Sequence, residues 1–482
     1  MWFWPFLKGV SMRKDTIAAI ATAMSDSGIS IIRVSGEDAI PIVNRIFFTK
    51  GHKQILSEAE SHTIHYGFIY DGEYKIDEVM VSVMKAPRSF TTEDVVEINC
   101  HGGVLVTNKV LETVIKNGAR IADPGEFTMR AFLNGRIDLS KAEAIMDLIH
   151  AKSEYALKNS INQLSGSVAN IIKNLREQLI YEIAFIESAL DDPEHISLEG
   201  YEDKLSKVND GLLFEIDKLI ESAHDGMLLK EGINTVIVGK PNVGKSSFLN
   251  VLIGKERAIV TDIEGTTRDA LMETVKIKDI LLNIIDTAGI RETEDIVEQI
   301  GVNKAKEYVK DADLLIYIVD SSKELDQNDF DIMEMLYHRK SIILLNKNDL
   351  ETKIDEISIA QYLKDIYSKN NGTYNNEIPI IKTSMLNKEG MDLFEKIVMD
   401  LFFSGQLKIN DEVYITNMRH KEALMEAASS LRLVRQSLEN HMPEDFYSID
   451  LMNAYTSLGY ILGEELGDDL VQEIFSKFCM GK

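Results

Sequence analysis

The sequence predicts a multidomain chain of mixed α/β and α class: a compact α+β domain first, then a helical domain in two chain segments, with an α/β domain inserted between them. Three changes of texture predict it. From Asp15 to about Arg136, short β-like runs ("GISIIRVSG", "TIHYGFIY", "DEVMVSVMKAP", "DVVEINCHGG") alternate with helical stretches such as "VLVTNKVLETVIKNG", the mixture expected of an α+β domain. From Leu139 onward apolar residues recur at helical spacing. From about Ile233 to Gly405 continuous apolar strands alternate with helical stretches, the pattern of a parallel sheet covered on both faces.

The helical stripe runs through Ile161, Leu164, Val168, Ile171, Leu175, Leu179, Ile183, Ile186 and Leu190. It predicts one long amphipathic helix, interrupted at Gly166 and ending before "DDPEH", whose stripe is bundle core. The α/β strands are "NTVIVGK", "LLNIIDTAG", "DLLIYIVD", "SIILLNKND" and "IPIIKTS". After them the helical period returns with Leu424, Ala428, Leu431, Val434 and Leu438. One helical domain in two pieces accounts for both helical stretches. A chain of 482 residues suits about three domains at ~150 residues each.

The formal net charge is −26, so the bulk field repels nucleic acid, and an RNA contact would need a local basic patch or a partner protein. Cys100 and Cys479 make no disulfide framework, and a reducing, cytoplasmic setting is expected. The opening "MWFWPFLKGVSM" is too short in its apolar part to span a bilayer. It is expected to be an irregular extension, with Met12 as an alternative start, and no membrane association is expected.

"GKPNVGKS" (Gly239–Ser246) follows an apolar strand and opens a helix, fitting the phosphate-loop pattern. Its glycines let backbone amides turn toward phosphate oxygens at a helix N-terminus. Lys245 would reach the β- and γ-phosphates and Ser246 would ligate Mg²⁺. "DTAG" (Asp286–Gly289) offers a carboxylate to Mg²⁺ through water, and the Gly289 amide to the γ-phosphate. "GTTRD" offers Thr267 as a second Mg²⁺ hydroxyl. In "NKND" (Asn346–Asp349) the Asp349 carboxylate can accept both N1–H and N2–H of guanine, which adenine lacks. "TSM" (Thr383–Met385) stands where a second base loop belongs, with Met385 departing from the usual serine-alanine pattern. Together these predict a P-loop, Ras-like domain that binds GTP.

One position is out of pattern. After the DTAG glycine, small GTPases carry a glutamine that orients the attacking water; here it is Ile290, whose side chain makes no hydrogen bond. Glu292, Glu294, Asp295 and Glu298 are the nearby carboxylates, and the residues alone do not choose among them.

The segments "GISIIRVSG", "FTTEDVVEINCHGG", "DPGEFTMRAFLNGRIDLSKAEAI", "ITNMRHKEAL" and the terminal "IFSKFCMGK" lie outside any P-loop domain. They resemble the MnmE (TrmE) family of tRNA-modification GTPases, and the likeness runs from about Thr16 to Lys482. The resemblance implies an N-terminal tetrahydrofolate-binding and homodimerisation domain over 1–135 and a helical domain over 136–231 and 406–482. It implies a TrmE-type G domain over 232–405 and a terminal CMGK motif. With the FAD protein MnmG (GidA), in a heterotetramer, such proteins add a carboxymethylaminomethyl-type group to C5 of the wobble uridine of certain tRNAs. The carbon comes from 5-formyl- or 5,10-methylene-tetrahydrofolate, and tRNA is contacted mainly through MnmG.

Carried over by resemblance, the folate contacts fall on Arg33, Glu97, Arg136 and Lys482. Arg136 stands where some relatives have lysine. A carboxylate such as Glu97 can grip the amide-amidine edge of a pterin with two hydrogen bonds. The GTP contacts fall on Asn242, Val243, Gly244, Lys245, Ser246 and Ser247, and then on Thr261, Asp262, Ile263, Glu264, Gly265, Thr266 and Thr267. They continue at Asp286, Thr287, Ala288 and Gly289, and end at Asn346, Lys347, Asp349 and Ser384. K⁺ would be held by Asn242, Thr261, Ile263 and Thr266, a plain turn residue being the other reading of Asn242. The resemblance favours Glu298 as the residue that orients water, and places Cys479 near the one-carbon chemistry as nucleophile or positioning group. A ribosome-assembly GTPase of the Era/Der type shares "GKPNVGKSS" and is the alternative, but nothing from Gln406 onward looks like the RNA-binding appendage such a protein carries. A folate-dependent methyl-transfer enzyme would leave the guanine motifs idle.

Overall fold

The computed structural model describes residues 15–255, 272–278, 280–285, 310, 312–336, 339–369, 378–403, 414–464, 467–478 and 481. Two compact units result, one of residues 1–149, 160–217 and 422–482, the other of 150–159 and 218–421. Two of the divisions fall inside the long helices Tyr201–Glu231 and Met418–Glu439, and the other two inside Leu139–His150 and Glu154–Leu164. Among the described residues no helix is long and apolar enough to cross a membrane.

The first unit holds a seven-stranded sheet. Its strands are β1 (Ile17–Ile20), β2 (Ser27–Ser35), β3 (Phe47–Phe48), β4 (Thr63–Asp71), β5 (Tyr74–Met84), β6 (Val95–Gly102) and β7 (Arg120–Ile121), in the order β3-β4-β5-β6-β2-β1-β7. Successive side chains on a strand face opposite ways. Ile32, Val34, Val81, Val83, Val96 and Ile98 therefore share one face, which packs on the helices Ala39–Ile46 and Val104–Lys116. The intervening Arg33 and Glu97 fall on the other face, directly opposite each other in the antiparallel β2–β6 register. That second face also carries exposed Ile64, Tyr66 and Met80 on β4 and β5.

The predicted break at Gly166 is present. Gly166 takes φ 97° between the helices Glu154–Leu164 and Ser167–Asp191. Val168, Leu175, Leu179, Ile183 and Ile186 are buried as expected. The apolar face drifts from the sequence stripe at its ends: Ile161 and Leu190 are exposed, and Ile172 rather than Ile171 is fully buried. A 3.6-residue period explains the change from Ile171 to Ile172, because it carries the face from 168 through 172, 175 and 179. The helix packs on Glu444–Leu462, where Arg176 lies over the Tyr455 ring at 4.0 Å and pairs with Glu464 at 2.5 Å. Leu424, Ala428, Leu431, Val434 and Leu438 are buried in the same unit. The terminal helix Asp468–Ser476 is held by Phe475 and Phe478 against Phe132, Leu139 and their neighbours.

The second unit holds a six-stranded sheet of β8 (Ile233–Val238), β9 (Met272–Ile277), β10 (Ile280–Ile285), β11 (Leu314–Asp320), β12 (Ser341–Asn346) and β13 (Ile380–Lys382), in the order β13-β12-β11-β8-β10-β9. It is parallel except at its edge, where β9 runs antiparallel to β10. Only two residues separate that pair, and so tight a connection can join strands only antiparallel. The central strands read as unbroken apolar runs because both faces are covered. Ile237, Ile316, Ile318 and Leu344 pack toward the helices Lys245–Lys255 and Met391–Phe403. Val238, Leu315, Tyr317 and Leu345 pack toward Gln327–Met335 and Glu356–Lys369.

Candidate functional sites

In the second unit the C-terminal ends of the parallel strands β8, β11 and β12 lead into the phosphate loop, Asp320 and Asn346, the edge where open α/β sheets bind ligands. Within the loop Asn242 takes φ 62° and Gly244 φ 109°. Left-handed positions of this kind build an anion-binding nest. Gly244 has no room for a side chain, since a Cβ there would lie 2.2 Å from Nδ2 of Asn346. Asn346 is buried and works as a clasp: Nδ2 donates to the Val243 carbonyl at 2.8 Å, and Oδ1 accepts from the Met385 amide at 3.2 Å. One side chain thus ties the phosphate loop to the base loop. Lys245 Nζ donates to the carbonyls of Gly239 and Lys240 at 2.6 and 2.9 Å.

Asp349 is held from the other side. The Ser384 hydroxyl donates to its Oδ1 at 2.6 Å, and the Ser384 oxygen in turn accepts the Asn387 amide at 3.3 Å. Lys347, at φ 65°, donates from Nζ to Oδ2 of Asp320 at 2.6 Å. Burial works against ionisation of Asp320, but Lys347 and the Ser322 hydroxyl hold its carboxyl below the usual value. The anchored lysine stem lies along a cavity of about 560 Å³ whose lining includes Asn242, Lys245, Ser246, Asp349 and Leu386. That volume suits a nucleotide-sized ligand. The arrangement can hold a polyphosphate over the loop while a fixed carboxylate reads the edge of a base.

In the first unit, Arg33 donates to Glu97 Oε1 from Nε at 2.9 Å and pairs with it through NH2 at 2.8 Å. Its NH1 donates to the Gly481 carbonyl at 2.8 Å, so the chain terminus meets this pair. The Arg33 guanidinium lies 5.7 Å from the Phe127 ring centroid and that of Arg136 lies 5.4 Å from Phe90. Both rings belong to one small cluster with Ile17, Ala19 and Ala122. Arg136 also donates to the Ser89 carbonyl and lines a cavity of about 570 Å³ with Arg88 and Phe90.

The same unit holds a partly buried ionic network centred on buried Arg130 and Glu126, absent from the sequence reading. Arg130 donates to Asp15 Oδ1 at 2.8 Å, to Glu126 Oε1 at 2.9 Å and to Glu93 Oε1 at 3.2 Å, and Arg120 donates to Glu126 Oε1 at 2.7 Å. Burial would push Glu126 up, yet the two arginines hold its carboxyl below the ordinary range.

A family model described as the MnmE helical domain matches residues 139–479, and one described as the N-terminus of the GTP-binding protein TrmE matches 16–136. The curated tRNA modification GTPase MnmE of Lachnoclostridium phytofermentans is 55% identical over 471 residues, 98% of this chain and 100% of that protein. The chain belongs to the MnmE family. The MnmE protein of Listeria welshimeri serovar 6b is 44% identical over 472 residues, again 98% of this chain and 100% of the relative. Among solved structures, the G domain of the T. maritima FeoB iron transporter aligns with 35% of this chain and 98% of its own at 26% identity, with a TM-score of 0.26.

Of the residues that likeness to MnmE singles out, the structure brings Asn242, Val243, Gly244, Lys245, Ser246, Ser247, Asn346, Lys347, Asp349 and Ser384 together around one set of strand ends. It brings Arg33 and Glu97 into contact, with Arg136 joined to them through the Phe127–Phe90 cluster. Thr261 to Thr267, Asp286 to Gly289, Glu298, Cys479 and Lys482 lie outside the described residues. Sequence reasoning missed Asp320 as the anchor of Lys347. Its one signal was a lone carboxylate closing the apolar run "LLIYIVD". The rings under Arg33 and Arg136 left no signal, because their meeting joins segments distant in the chain.

Proposed function

We propose that this chain is a K⁺-dependent GTP hydrolase that, with the FAD protein MnmG, adds a carboxymethylaminomethyl-type group to C5 of the wobble uridine of certain tRNAs. One carbon would come from a tetrahydrofolate derivative. The coarser statement follows from the family: the chain is a GTPase acting in tRNA modification. One observation carries the nucleotide reading. Ser384 holds Asp349 at 2.6 Å while Asn346 ties the adjoining base loop to the phosphate loop at 2.8 Å, so base and phosphate sites form one rigid frame.

Ser246, with Thr267, would hold Mg²⁺, and Asn242, with Thr261, Ile263 and Thr266, would hold K⁺. Hydroxyl, amide and carbonyl oxygens suit such hard cations, and Asn242 and Ser246 line the same cavity. When bound, the cations supply positive charge where the transition state gathers negative charge. The chain itself binds the phosphates through Lys245 and orients the base through Asp349. Hydrolysis is expected to run severalfold faster in K⁺ than in Na⁺; equal rates at matched ionic strength would count against the Asn242 site.

The Arg33–Glu97 pair supports the folate reading. Among the described residues both of its bonds end on Oε1, so Oε2 could serve a pterin edge. Exposed Ile64, Tyr66 and Met80 on the same sheet face support a homodimer, since contiguous apolar surface marks interaction sites. The charge of −26 supports contact with tRNA mainly through MnmG in a cytoplasmic heterotetramer. The Gly481 carbonyl on Arg33 supports a role near the folate for Lys482 and Cys479. A ribosome-assembly role gains no such support, because the helical-domain model runs through residue 479.

Nucleoside analysis of tRNA from cells lacking the chain tests the whole reading. The modified wobble uridine should vanish, return with the wild type, and stay absent with Cys479→Ser. Full modification in the deletion strain sinks the function, and full modification with the serine variant sinks only the role of Cys479.

A further inference from the structure

The phosphate-loop pattern leaves its second position open to any residue, yet here that residue is Lys240 and it is engaged. Its Nζ donates to Asp329 Oδ2 at 2.6 Å and to Asp326 Oδ2 at 2.8 Å. Both carboxylates belong to the start of the helix Gln327–Met335, where Asp326 is the N-cap and Asp329 closes a capping box. Asp329 is 1% exposed. Its Oδ1 accepts the Tyr317 hydroxyl at 2.7 Å, and its Oδ2 also takes the Asp326 amide at 3.0 Å. Tyr317 is itself fully buried on β11. The acceptor is therefore fixed by a strand and a helix cap, and Lys240 is the cation paired with it among the described residues. Burial disfavours a charged lysine, but the two aspartates raise its pKa above the ordinary value.

The strap sits at a sensitive point. Two residues on, Asn242 turns into the left-handed region, and Gly244 follows. The Lys240 carbonyl also accepts the Lys245 ammonium at 2.9 Å, so the backbone that Lys240 anchors also governs where the phosphate-binding lysine rests. We propose that Lys240 is a positioning residue of the GTPase site, strapping the phosphate loop to the head of helix Gln327–Met335 so that the nest is preformed for the phosphates. An untethered loop must be ordered when nucleotide binds, and that cost falls on affinity.

A strap of this kind acts alike on ground state and transition state, which predicts a split between binding and turnover. In the full-length protein, Lys240→Met keeps the apolar stem and removes the ammonium. Its Kd for GTP and for GDP should rise about tenfold, a change of about 1.4 kcal/mol. Turnover at saturating GTP should change by less than about threefold, the preference for GTP over ATP should persist, and Lys240→Arg should restore most of the affinity. A role in stability alone would lower Tm and leave Kd unchanged where the variant is folded; that result overturns the proposal. Lys240→Met strands a buried carboxylate, so the variant combining Lys240→Met with Asp329→Asn, which strands no charge, serves if the single one does not fold. Weakened GTP and GDP binding in it supports the strap, and wild-type Kd values in it overturn the strap.

Discussion

Asp349→Asn is expected to weaken GTP binding by roughly 10²–10³-fold while improving relative affinity for xanthosine triphosphate. Charge-assisted hydrogen bonds contribute about 1.5–3 kcal/mol each, and guanine offers this carboxylate two donors. An amide keeps one acceptor and turns a donor toward the second. Facing the guanine amino group, that donor finds no acceptor; facing the carbonyl that xanthine carries there, it finds one. The Ser384 hydroxyl, 2.6 Å from Asp349 Oδ1, fixes the group that must be replaced, so the variant has little freedom to rotate away. Titration with fluorescent analogues of both nucleotides reads the outcome. Unchanged GTP affinity would mean that Asp349 does not read the base.

Glu298→Ala is expected to leave GTP affinity close to wild type and to cut turnover by roughly 10²–10³-fold, the usual scale for losing a positioned catalytic group. Ile290 stands where small GTPases place a water-orienting glutamine, so the polar contact must come from elsewhere in this stretch. Of the four carboxylates Glu292, Glu294, Asp295 and Glu298, Glu298 is the one proposed for the role. Single-turnover hydrolysis at saturating GTP separates chemistry from binding. Wild-type turnover in the alanine variant would return the role to one of the other three.

How much was legible follows from the range of each interaction. The phosphate loop is a local backbone structure, and Gly244 is required by its left-handed φ of 109°, so its motif is written in eight consecutive residues. The helix break at Gly166 and the buried stripe through Leu179 and Ile183 likewise follow from neighbours on one helix. Where the stripe reached its ends, at Ile161 and Leu190, solvent exposure was decided by what packs alongside, and the period alone misplaced them.

By itself the sequence determined the class of the chain, the inserted α/β domain and the guanine-nucleotide motifs, because each rests on periodicity or on residues close together in the chain, and the family through the resemblance of short segments along it. Tertiary structure alone decided which side chains meet across long separations. It set Arg33 opposite Glu97 through the β2–β6 register and gathered Asp15, Glu93, Arg120, Glu126 and Arg130 into one network. It also set Asp320 on Lys347 and Asp329 on Lys240. A charge in a sequence reads the same whether it ends in water or in a buried pair. Only the packing of strands and helices supplies the desolvation and the fixed partner that turn it into an anchor.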